Sequence, residues 1–74
     1  MNYKMKEYVI NNVTHLRKEK RMTQEEFADS INVSRQTVIA IEKGNHIPSL
    51  LLGLKIANFF KKSVEKVFIY KHEK

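Results

Sequence analysis

Arg35 and Gln36 stand side by side near the middle of the chain, and they could do the most demanding chemistry in it. An arginine fork offers parallel N–H donors, and a glutamine amide offers a donor and an acceptor in one plane. Such groups match flat hydrogen-bonding edges, provided that something rigid presents them. Polar groups suited to holding oxyanions surround them: Gln24 and Ser34 ahead, Thr37, Lys43, Asn45 and His46 behind, Arg17 and Lys18 nearer the N-terminus. Catalytic groupings are missing. His15, His46 and His72 are far apart, and none stands at metal-ligand spacing from another ligand. There is no glycine-rich phosphate loop and no nucleophile elbow, and Ser34 is explained as a helix cap. The expectation is no enzymatic activity, no metal, no cofactor and no small-molecule ligand.

A single domain over residues 1–74 must position these groups, because 74 residues leave room for one. A chain of this size buries only about 60% of its unfolded surface, so a second copy would add useful burial. It has no cysteine, which rules out disulfides and suits a reducing, cytoplasmic setting. No apolar run approaches a membrane span, and the polar, basic start does not read as a signal peptide. Met5 offers an alternative start, which would make the first four residues an extension. The formal net charge is +6. Its distribution is uneven: residues 1–22 carry six basic and two acidic groups, whereas residues 23–34 carry three acidic groups and no basic one. A basic chain with a polar reading edge favours a polyanionic partner.

Five helical segments follow from caps and periodicity. The first spans about 12–20, with Val13 and Leu16 on one face. The second follows Thr23, which forms a capping box with Glu26, while Met22 and Phe27 fit a hydrophobic staple. Its apolar stripe is Phe27, Ala28 and Ile31. The third begins at a Ser34 cap and turns Val38 and Ile41 inward. Gly44 ends it, and Pro48 announces the next. The fourth, about 49–60, carries Leu50, Leu51, Leu54, Ala57 and Phe60, so much apolar surface that it should be touched on several sides. The fifth, 63–67, is capped by Ser63. Extended segments at about 7–11 and 67–72 are β-branched and aromatic and should pair as a small antiparallel ribbon.

Between the second and third helices, Ala28 allows a close crossing, Asn32 tolerates a left-handed turn, and Ile31 and Val33 plug the angle. Together these features mark a helix-turn-helix over about 23–42. With Thr23–Ala28, Val33–Val38, Ile41–Gly44 and Pro48–Leu50, the chain resembles the family of Cro, the lambda-type repressors and their bacterial relatives. The resemblance covers about residues 11–68 and is nearest to small single-domain repressors with an appended ribbon. It implies a mainly α fold: a five-helix lambda-repressor-like bundle with a two-stranded ribbon. Asn32 departs from the glycine of many relatives. Ala40 departs from the long polar base-reader that several place there, which shifts weight onto Arg35 and Gln36.

Several roles follow from the resemblance. Arg35 would read a guanine edge and Gln36 an adenine edge in the major groove, with Ile39 and Ala40 against thymine methyl groups. Gln24 would bond phosphate and brace the recognition helix. Ser34, Thr37, Lys43, Asn45, His46, Arg17 and Lys18 would contact phosphates. Glu42 is better placed to pair with a base such as Arg17 than to read cytosine. The partner is then double-stranded DNA, bound by a homodimeric repressor on a palindrome, with Ile47, Val64 and Val67 as the dimer surface. A protein-interaction module such as an antitoxin and a membrane-surface binder are the rival readings. Little sequence after the ribbon weakens the first, and cleanly capped helices weaken the second.

Overall fold

The computed structural model describes residues 5–73. The possible extension at residues 1–4 lies outside the described residues. The elements run β1 (Lys6–Asn11), α1 (Val13–Glu19), α2 (Gln24–Ser30), α3 (Arg35–Glu42), α4 (Leu50–Phe59), α5 (Val64–Val67) and β2 (Phe68–Glu73). The protein is therefore mainly α, with five helices and one two-stranded antiparallel sheet among the described residues.

The core is built by the apolar stripe of each helix. Val13, Phe27, Ile31, Val38, Ile41, Ile56 and Val67 are its largest fully buried side chains. Phe27, Phe59 and Phe60 form an aromatic cluster with centroids 5.1–5.5 Å apart, joining α2 to the end of α4. Met22 packs against this core, as a staple residue should.

Local caps set the helix boundaries. Thr23 Oγ1 accepts from the Glu26 N–H and the Glu26 carboxylate accepts from the Thr23 N–H, completing the capping box. Ser34 and Ser49 cap α3 and α4 through their hydroxyls. Ser63 takes the N-cap backbone position of α5, but its side chain makes no cap bond, contrary to expectation.

The C-termini of α1 to α4 share one device. In each, the residue after the C-cap turns left-handed: Arg21, Asn32, Gly44 and Lys61, with φ of 56°, 59°, 80° and 56°. The next amide then reaches back to a carbonyl five residues earlier, as Val33 N–H does to Ala28 at 3.0 Å and Asn45 N–H to Ala40 at 2.9 Å. This Schellman geometry satisfies the last carbonyls of each helix. At Asn32 it makes the turn between α2 and α3.

The ribbon pairs Ile10 with Ile69 and Val9 with Tyr70. Its base is tied to the helices by the Asn12 N–H donating to the Val67 carbonyl at 2.9 Å. α4 differs from expectation. Gly53, Ile56 and Ala57 face the core, but Leu50 and Leu51 are 74% and 77% exposed and Leu54 is half exposed. Within one chain, α4 is covered on one side only.

Candidate nucleic-acid interface

α2 and α3 meet at the Asn32 turn and present their N-terminal ends side by side. Arg35 and Gln36, the first residues of α3, are exposed. Ile39 and Ala40, one turn on, are half-buried. Between the two helix starts lies an open polar cleft of about 390 Å³ lined by Arg17, Thr23, Gln24, Glu25 and Arg35. Lys18, Lys43, Asn45 and His46 are exposed.

The Glu42 carboxylate holds the cleft together from behind. Arg17 Nε donates to its Oε2 at 2.7 Å and Nη2 to its Oε1 at 3.1 Å, and both side chains are nearly buried. Arg17 Nη1 donates to the Met22 carbonyl at 2.8 Å, and Gln24 Nε2 donates to Glu42 Oε1 at 3.0 Å. One carboxylate therefore joins α1, the start of α2 and the end of α3. Burial raises its pKa most strongly as a single influence. The hydrogen bonds from Arg17 and Gln24, the Arg17 charge and the Thr14 hydroxyl together outweigh burial and hold it below the ordinary range. The same hydrogen bond raises the Arg17 pKa against the opposing effect of burial.

The expected brace between Glu42 and Arg17 is thus present. Arg17, expected as a phosphate donor, lines the cleft but is nearly buried, and each of its three nitrogens donates inside the chain, to Glu42 or the Met22 carbonyl. Ser34 and Thr37 are also partly engaged, their hydroxyl oxygens 2.9 Å apart.

One residue of the expected dimer surface is corrected. Val67 is fully buried as a core residue, so it offers no surface to a partner. Ile47 is 66% exposed, and Val64 is half-buried. Together with Val9, Leu50, Gly53 and Phe68, these two line an apolar groove of about 130 Å³. The exposed leucines of α4 were missed as surface because helical spacing marks an apolar residue without saying which partner covers it. Asn11 was missed too: its amide donates to the Ile41 carbonyl of α3 at 2.9 Å.

Among the described residues, no group of three His, Cys, Asp or Glu could hold a metal ion, and no helix is long and apolar enough to cross a membrane.

This arrangement of capped helices joined by a left-handed turn, with Arg35 and Gln36 exposed at the start of the second, defines a helix-turn-helix protein. The family pattern described as helix-turn-helix matches residues 15–67. An uncharacterized HTH-type transcriptional regulator of Methanocaldococcus jannaschii, MJ0272, is 48% identical over 63 residues, which span 85% of this chain and 96% of that relative. A second, YgzD of Bacillus subtilis, is 46% identical over the same shares of each chain. A third, from Methanothermobacter thermautotrophicus, is 48% identical over 72% of this chain and 78% of its own. The chain belongs to the helix-turn-helix family of Cro and the lambda-type repressors.

Proposed function

We propose that the protein is a sequence-specific, double-stranded-DNA-binding transcriptional regulator that represses from a palindromic operator as a homodimer. The observation that carries this reading is the exposed pair Arg35–Gln36 at the start of an α3 braced from three sides. In the major groove Arg35 reads guanine and Gln36 adenine, while Ile39 and Ala40 contribute their exposed parts to thymine methyl groups. Gln24 faces the polar cleft with its amide nitrogen held by Glu42. Its remaining N–H serves a phosphate, beside Ser34, Thr37, Lys43, Asn45, His46 and Lys18.

One recognition helix covers few base pairs, so two copies on a palindrome, with half-sites about 34 Å apart, give useful selectivity. The second copy covers Ile47, Leu50, Leu51 and Leu54, four large apolar side chains exposed near one another in sequence, with Val64 at the edge. Contiguous apolar surface of this kind on a small protein commonly marks a contact site.

Selection of duplexes from a random pool tests the reading, followed by footprinting on the enriched sequence. A two-fold symmetric footprint with enriched half-sites is expected. A pool that enriches no sequence would overturn base reading, and a monomer by light scattering at micromolar concentration would overturn the dimer.

A further inference from the structure

We infer that Asn11 is a positioning residue for α3, fixing the pose in which Arg35 and Gln36 are presented; this rests on the proposed reading of duplex DNA by that helix. Asn11 ends β1 and is half-buried. Its two amide ends do different work. Nδ2 donates to the Ile41 carbonyl at 2.9 Å, 30 residues away. Oδ1 accepts from the Val13 N–H at 3.0 Å, taking one of the free donors at the start of α1. A single planar group therefore joins the ribbon base, the first turn of α1 and the last turn of α3.

The Ile41 carbonyl is a demanding anchor. It also accepts from the Gly44 N–H at 3.0 Å, so both its lone pairs are used, in the turn where helix carbonyls otherwise lack partners. The opposite end of α3 is the reading end. An eight-residue helix is about 12 Å long, so a tilt of about 5° about the Ile41 end displaces Arg35 by about 1 Å. Base-edge hydrogen bonds tolerate roughly half that. The buried Val38 and Ile41 hold α3 against the core but do not oppose such a tilt as a directional bond does. Asparagine is required by the geometry because it must donate at one end and accept at the other. Aspartate has the same shape and keeps the acceptor for Val13. It loses the donor and sets a negative charge at the negative end of the α3 dipole.

The test measures the ratio of affinities for a duplex selected by the wild-type protein and for a random-sequence duplex. Partial unfolding lowers both affinities alike and leaves the ratio unchanged, so the ratio separates positioning from mere stability. Asn11→Asp and Asn11→Ala are expected to lower the ratio at least tenfold. Asn12→Ala is the control: Asn12 Nδ2 also bonds across the ribbon base, to the Lys66 carbonyl at 2.9 Å, but does not touch α3. It should keep the wild-type ratio. A wild-type ratio in both Asn11 variants, or an equal loss in Asn12→Ala, overturns the inference while leaving DNA reading intact. A wild-type protein that enriches no sequence overturns the DNA reading itself, and the inference with it.

Discussion

Glu42 sits where the helices of the motif converge, and its charge is compensated from several directions. Removing the carboxylate in Glu42→Ala leaves the Arg17 guanidinium buried without its partner, a change that costs about 3 kcal/mol, measurable by urea unfolding. The pH dependence follows from the same contacts. The Glu42 pKa is lowered in the folded chain, so its stabilisation is complete above the unfolded value of about 4.3. It is lost as pH falls through the lower folded value. Unfolding midpoints should therefore decline below about pH 4.3, and Glu42→Gln should remove part of that decline. On the DNA face, Arg35→Ala and Gln36→Ala should each cost roughly 1–3 kcal/mol and relax sequence preference. Lys43→Ala should weaken all sequences alike and flatten the salt dependence, as titrations at several salt concentrations would show. The Arg17–Glu42 brace was legible in the sequence because an acid among basic and polar groups calls for a partner. The Met22 contact of Arg17 was not, since it is made to a backbone carbonyl, which carries no side-chain signal.

The helices end where their sequences say they should, although residue type gives the reason only at Asn32 and Gly44. The left-handed residues Arg21 and Lys61, one position after the C-caps of α1 and α4, are not announced by residue type, because a long basic side chain is an ordinary occupant of any exposed position. The capping box and the Ser34 cap are local and were readable; Ser63 offers the same residue type, yet its side chain makes no cap bond. Two glycines make the element-scale test. Gly44 has φ of 80° and open space where a Cβ would stand, so the backbone alone resists substitution. Gly44→Ala should destabilise by about 1 kcal/mol. Gly53 lies inside α4, where a Cβ would meet Phe68 and Val64 at 3.9 Å, ordinary contact. Gly53→Ala should stabilise by about 0.5–1 kcal/mol. Opposite shifts in melting temperature would confirm both.

At the scale of the whole molecule, the fold is a braced motif with two unequal surfaces, one polar and basic, the other apolar along α4. Helical periodicity located the apolar residues correctly. It could not divide them between the core and a partner, because both demand the same side chains; hence Val67 lies inside and Leu50 and Leu51 lie outside. For the proposed homodimer, Leu54→Lys should raise the dissociation constant at least tenfold without lowering the helical content, with sedimentation and circular dichroism as the two measurements. A loss of affinity for the selected duplex greater than the loss on random duplex should accompany it, since on the proposed reading only a specific, two-fold site takes two copies in register.

The ribbon register carries a topological consequence. Lys6 lies opposite Glu73, with their side chains paired at 3.6 Å, so the two strands meet as the arms of a hairpin that lacks its bend. A linker of about four glycine and serine residues between them would supply it, and the chain could be opened between the exposed His46 and Ile47. Replacing the long closure by a short one lowers the entropic cost of pairing the strands by about 2 kcal/mol. The rearranged polypeptide, with α4 first and α3 last in order, should still form the ribbon and do so earlier in folding.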